Sequence, residues 1–382
     1  MKLACFAVIV SILLVSCGGN PEKTEVSEAN DTDVFTAYEI ALEGPRINFT
    51  DLVDEVELIR LEETEQSLLS SAAIFLETEQ GYLLSEYTNT GMPFTLFSKT
   101  GEFMAKYDKS GDGPEEFRYF SSVWLRDGVI SVHLKYEQLI KQYNTNWEFL
   151  QTLKVPEVTD QVLPLANGYA VDINHNAVVD SLKYDVYVYD KDFKLKSRLL
   201  PYEKNLEGFS MSSDANGFWP YKQGYTYMRT LSDTLYTFDG EHIEPLARFD
   251  LGSAWHWNNN SQPPPMGRPQ EGAPVSVVTM AAYTHPQWFY LNCITNFGMK
   301  NLFINRATGA HHWLDFKAGE SNYRVNVVRI VDDRLLVSIS SEYVRDFLSQ
   351  LSEEQITMRA GTTLDVIESS ENPVLMWVRL KE

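Results

Sequence analysis

The chain has 382 residues, 44% of them hydrophobic and 22% charged, with a formal net charge of −21. This composition supplies an ample core and argues against a disordered or fibrous chain. The acid excess has no lysine or arginine cluster to offset it, so it argues against nucleic acid or anionic lipid as partners and favours neutral or cationic ones; solubility is the simpler reason for it.

In chain order, residues 1–16 read as a secretory signal peptide. Lys2 gives a positive start, and Leu3 to Val15 is an apolar region too short to span a membrane. Leu14-Val15-Ser16-Cys17 resembles a bacterial lipobox. That resemblance implies cleavage before Cys17 and a lipid on it, which would anchor the chain to a membrane. Cys5 leaves with the signal, so Cys293 is the one other cysteine and no intramolecular disulfide can form. Cys293 sits in the strand-like run Trp288 to Ile294 and is expected to be a small buried hydrophobe. Residues 17–44 are read as the lipidated cysteine and a flexible tether, acid-rich and poor in apolar residues, and residues 45–382 as one folded domain.

The organising stretch is Pro93 to Leu125. Phe94, Leu96 and Phe97 form a strand, Ser98 to Gly101 a tight turn, and Glu102 to Tyr107 a second strand. Ser110 to Phe117 is rich in Gly and holds Pro114, so it is a connection between strand systems. The hairpin returns in weaker form around Tyr143, Tyr189, Tyr236 and Phe303, at steps from Phe97 of 46, 46, 47 and 67 residues. A period in the mid-forties built from four short strands is that of a propeller blade, and an insertion of roughly twenty residues accounts for the long step. Val374 to Leu380 is a strand with no partner after it, and Val56 to Leu61 is one with no hairpin mate before it. Together they complete one blade. The expected fold is therefore all-β: a six-bladed β-propeller of four-stranded blades, closed by an N-terminal strand joining the C-terminal blade.

Two segments break the period. Gly252 to Pro286 contains Trp255-His256-Trp257, Pro263 to Pro265 and Arg268, and its prolines and glycines argue against regular structure. Ser341 to Met358 carries Val344, Phe347, Leu348 and Leu351 at helical spacing after a possible Ser341 cap. A helical insertion is expected near residues 341–358, packed on the ring by its apolar stripe.

The lipobox, the Phe97 to Phe103 hairpin and the Gly111 to Phe117 loop together resemble the six-bladed β-propeller lipoproteins of Bacteroides-type bacteria, whose blades are similar to NHL repeats. Glu115 stands where that family more commonly has Gly. The resemblance implies an outer-membrane lipoprotein of the cell envelope, periplasmic or surface-exposed. It brings no defined reaction.

Local motifs for catalysis are absent: there is no Gly-x-Ser-x-Gly elbow, P-loop, dinucleotide fingerprint or Cys-x-x-Cys. The best binding candidates are Trp255, His256 and Trp257, whose rings suit a sugar or a peptide side chain, with Arg268 for an anion. The competing reading is that the tryptophans plug the ring. Some lactonases and lyases on six-bladed scaffolds hold a divalent cation near the axis; His133, Asp172 and His175, with Asn174 and Asn292, are the candidates for such a role. The favoured function is a binding platform for a glycan, peptide or protein partner with no cofactor. The alternative is a divalent-metal-dependent hydrolase or lyase.

Overall fold

The computed structural model describes residues 33–72, 74–174, 183–202, 217–260, 262, 272–331, 333–359 and 362–381. The segment read as a signal peptide, Cys17, His175 and Arg268 lie outside the described residues. Six sheets of four or five strands form the ring of a six-bladed β-propeller. Blade 1 spans residues 74–107, blade 2 122–154, blade 3 161–201, blade 4 217–250 and blade 5 277–315. Blade 6 takes Asn326–Val331, Arg334–Ile339 and Val374–Leu380 from the end of the chain, and its fourth strand, β3 (Val53–Arg60), from the beginning. The closing register pairs Val374 with Arg60 and Val378 with Val56.

The physical basis of the ring is that each blade buries both faces. Alternate residues of one strand serve opposite neighbours: Leu83 joins the apolar cluster between blades 1 and 2, while Leu84 joins that between blades 6 and 1. Val171 and Ala170 divide in the same way between the clusters on either side of blade 3. Six such clusters fill the six blade boundaries. Each fully buried aliphatic or aromatic side chain in them contributes about 1.5–3 kcal/mol.

All five sequence anchors fall on the third strands of blades 1 to 5. In blades 1 to 4 the ladder shifts register at the anchor itself, at Phe97, Tyr143, Tyr189 and Tyr236. In blades 1 to 3 the next residue then caps the turn: Ser98 Oγ, Asn144 Oδ1 and Asp190 Oδ1 each accept two backbone N–H groups. Three residues on, the backbone is left-handed at Gly101 (φ 90°), Trp147 (φ 63°) and Phe193 (φ 55°). In blade 4 the cap is Asp239, two residues later than the interval predicts.

Three features differ from expectation. The tether does not run to residue 44: β1 (Thr36–Glu39) adds a parallel fifth strand to the outer edge of blade 4, and β2 (Arg46–Asn48) does the same for blade 5. Buried Tyr38 and Ile40 explain why the segment docks. The helix near 341–358 is shorter than expected. Only Val344–Leu348 is α-helical, and Ile356–Met358 is a fifth strand parallel to β3. Val344, Phe347 and Leu348 are buried in the cluster between blades 5 and 6, so the stripe is packing. Ser341 does not cap; its hydroxyl donates to the Ser370 carbonyl. Finally, the segment after Gly252 holds a short helix, His256–Asn259, and ends in the fully buried first strand of blade 5, Val277–Thr284.

Candidate functional site

Strand alternation sorts the connections onto two faces. Within a blade, the turns joining first to second and third to fourth strands are five residues or fewer. Every longer connection joins a second to a third strand, or one blade to the next. Between successive strands of the six blades, these connections begin and end on the same face, the long-connection face; residues 40–45, between the two edge strands, cross from it to the other.

Beneath that face, blades 2 to 5 share a buried polar network. His133, at the end of the second strand of blade 2, is fully buried. Its Nδ1 lies 2.8 Å from Ser121 Oγ and its Nε2 3.1 Å from Thr159 Oγ1. Burial, and then the repulsion of Lys135, holds the imidazole down at about 3, so it is neutral at physiological pH. Lys135 pairs with Asp160, which accepts from the Asn174 amide. The Asn174 carbonyl oxygen accepts from Thr230, and Thr279 of blade 5 donates to the Thr230 carbonyl at 2.7 Å.

Asp172 is the centre of this network. Its Oδ1 accepts from the Asn174 backbone N–H at 2.8 Å and from the Tyr227 phenol at 2.9 Å. Burial first, and then the nearby Asp160 and Asp185 carboxylates, push its carboxyl well above the ordinary range. Asp185, fully buried as well, forms an ion pair with Arg229 at 2.5 Å. Burial likewise keeps the Tyr227 phenol protonated.

The structure thus brings together His133, Asp172 and Asn174 of the sequence candidates. What it makes of them is a hydrogen-bonded brace between blades. Both ring nitrogens of His133 face hydroxyls. Among the described residues, no three His, Cys, Asp or Glu side chains converge as a metal site would require. Asn292 is elsewhere, on the second strand of blade 5, with its amide 3.1 Å from Met299 Sδ.

The tryptophan segment packs inward. Trp255 is 3% exposed in the cluster between blades 4 and 5, and Trp257 lies against that cluster with its indole N–H donating to the Val278 carbonyl at 2.7 Å. His256 is buried, its Nε2 2.8 Å from the Gln262 carbonyl. Cys293 is fully buried, and burial pushes its thiol up to about 12.

Among the described residues, the large aromatic rings most exposed on the long-connection face are Tyr87, Tyr119, Tyr136 and Phe297, at 54%, 48%, 83% and 50% exposure. Tyr119 is tied to the connection of blade 1 by its hydroxyl, 3.4 Å from the Thr88 carbonyl, and Lys135 lies over the Tyr136 ring. Sequence reasoning missed them because a lone tyrosine beside a turn has no periodicity to mark it. For Tyr87 and Tyr119 the one available signal was their place in longer gaps between strands; Tyr136, in a four-residue turn, had none.

The sequence model of a family described as a domain of unknown function, DUF4934, matches residues 34–379. The chain belongs to the DUF4934 family. That match begins just before β1. No curated protein matches this DUF4934 chain. Among solved structures, a Bacteroides fragilis protein described as exported is similar with a TM-score of 0.68 at 14% identity, over 91% of this chain and 100% of that one. At that identity the likeness speaks for the fold. A DUF4221 member from Bacteroides vulgatus gives 0.49 at 12% identity, over 86% and 98% of the two chains. A virginiamycin B lyase from Staphylococcus aureus gives 0.38 at 8%, over 75% and 84%. Neither of these last two bears on function.

Proposed function

We propose that this DUF4934 chain is a binding platform of the bacterial cell envelope, held to the outer membrane by a lipid on Cys17, and that it recognises a neutral or cationic glycan, peptide or protein through its long-connection face. The observation that carries this reading is the exposure of Tyr119 and Tyr136 on that face, above a network whose polar groups are already engaged with one another. Exposed phenol rings on a braced scaffold offer stacking area and a polar tip at little cost in ordering. The net charge of −21 favours partners that are not anionic. The Leu14 to Cys17 lipobox and the exported Bacteroides relative support the envelope location.

Two experiments test it. Metabolic labelling with an alkyne fatty acid in a Bacteroides host should mark the wild-type chain and not Cys17→Ser; equal labelling removes the anchor. Neutral oligosaccharides and neutral or cationic peptides should be screened against the purified domain by saturation-transfer NMR. Tyr119→Ala and Tyr136→Ala should each weaken a hit about tenfold, within the range of one aromatic contact, with an unchanged melting temperature. Hits indifferent to both substitutions would move the binding face elsewhere.

A further inference from the structure

The opposite face, made of the short turns, holds a cleft that the platform reading does not use. It opens between blades 1 and 2 and encloses about 330 Å³. That lies at the lower end of the range for small-molecule sites. Its floor is Leu83, Leu96 and Ile130, each at 4% exposure or less, and its walls include Leu125 and Trp147. At the mouth stands Glu79, in the first turn of blade 1, an exposed carboxylate with no hydrogen-bond or ion-pair partner among the described residues. Across from it, the second blade turns through Asp127 and Gly128, both left-handed at φ 51° and 73°. A Cβ on Gly128 would meet nothing within 4 Å, so the entrance is open there.

Trp147 explains why the cleft persists. Its ring is fixed by Phe94, Tyr107 and Tyr143, at centroid distances of 4.6, 5.5 and 5.5 Å, so it does not swing in to fill the space. An apolar slot with rigid walls and a single unpartnered carboxylate at its lip has a definite complement. We propose that this cleft binds a small primary amine with an unbranched apolar tail, the tail against Leu83, Leu96 and Trp147 and the ammonium at Glu79. An aromatic wall beside the lip adds to the attraction for a cation.

The test uses the purified protein and the series butyl-, pentyl- and hexylammonium, each beside the alcohol of equal length, titrated by NMR at low ionic strength. Affinity should rise about fourfold per methylene, the value of one buried CH₂, and each ammonium should bind more tightly than its alcohol. Glu79→Gln should abolish the preference for ammonium and keep the length dependence. Leu125→Trp, which fills the slot, and Gly128→Asn, which narrows the entrance at a position where Asn is the least strained replacement, should each weaken hexylammonium at least tenfold while the NMR spectrum shows the fold intact. Tyr136→Ala should leave amine binding unchanged, which keeps this site separable from the platform. A flat length series, a preference for ammonium that survives Glu79→Gln, or full affinity in both blocking variants would overturn the proposal.

Discussion

Tyr227 and Asp172 meet across the boundary between blades 3 and 4, the phenol donating to a carboxyl that burial keeps protonated well past its ordinary range. Tyr227→Phe removes that donor from a buried acceptor and should cost about 1–3 kcal/mol. The sign of the pH dependence follows from the raised carboxyl. The folded state holds a proton that the unfolded state releases above about pH 4, so this group's contribution is complete below that pH and is lost as pH rises towards its folded value. Asp172→Asn lacks the slope. In urea titrations its stability relative to wild type should therefore grow from pH 4 upward. Parallel curves would mean that the carboxyl is ionised in the fold.

His133 works in the opposite direction. Its imidazole, held at about 3 in the fold, takes up a proton near 6.5 when unfolded. Its contribution is complete above about pH 6.5 and falls by about 1.4 kcal/mol per pH unit as the pH drops towards 3. Above about pH 4 the slopes of His133 and Asp172 oppose each other until one of the two groups has finished titrating. His133→Gln should expose a stability that decreases as pH rises from about 4, and Asp172→Asn one that increases up to about pH 6.5.

Gly101 and Trp147 occupy the same left-handed turn position in blades 1 and 2 for different reasons. A Cβ on Gly101 would lie 1.9 Å from the Arg60 carbonyl oxygen, at the seam where Glu62 N–H donates to the Gly101 carbonyl at 2.7 Å. Gly101→Ala should destabilise by about 1–3 kcal/mol from backbone strain, with added loss if the seam parts. Trp147 tolerates φ 63° because its ring is locked among Phe94, Tyr107 and Tyr143. Trp147→Ala should cost about 3–5 kcal/mol and Trp147→Phe less, measured by the urea midpoint.

Trp255 and Tyr136 separate packing from recognition. With 3% exposure, Trp255→Ala should lower stability by about 3–5 kcal/mol. At 83% exposure, Tyr136→Ala should stay within about 0.5 kcal/mol of wild type. The reverse order would return Trp255 to the list of ligand contacts.

The ring could be read from the chain because its signals are local and repeated. Phe97, Tyr143 and Tyr189 are each followed by a residue able to cap the turn, and that pairing recurs at equal intervals. In blade 4 the register shift keeps the interval, at Tyr236, and only the cap moves, to Asp239, two residues past the position it holds in blades 1 to 3. β1, β2 and Ile356–Met358 were not legible: a strand of three or four residues that pairs with a distant edge has too few positions to show a period. The polar network was half legible. His133 and Asp172 stood out by type, but Tyr227 and Asp185, which decide how those groups behave, come from separate strands and converge only in the folded ring. Trp255 misled because a tryptophan beside prolines has the composition of a binding loop whether or not its ring is covered.

Residues 36–60 visit the ring in the order of its last three blades. β1 docks on residues 247–250, β2 on 313–315 and β3 on 374–380. Each berth lies later in the chain than the one before it, so a chain cut short before residue 374 would leave β3 without the strand it pairs with. The seam that completes the circle is therefore held by segments more than three hundred residues apart, and a C-terminal truncation should unseat the N-terminal strands as well.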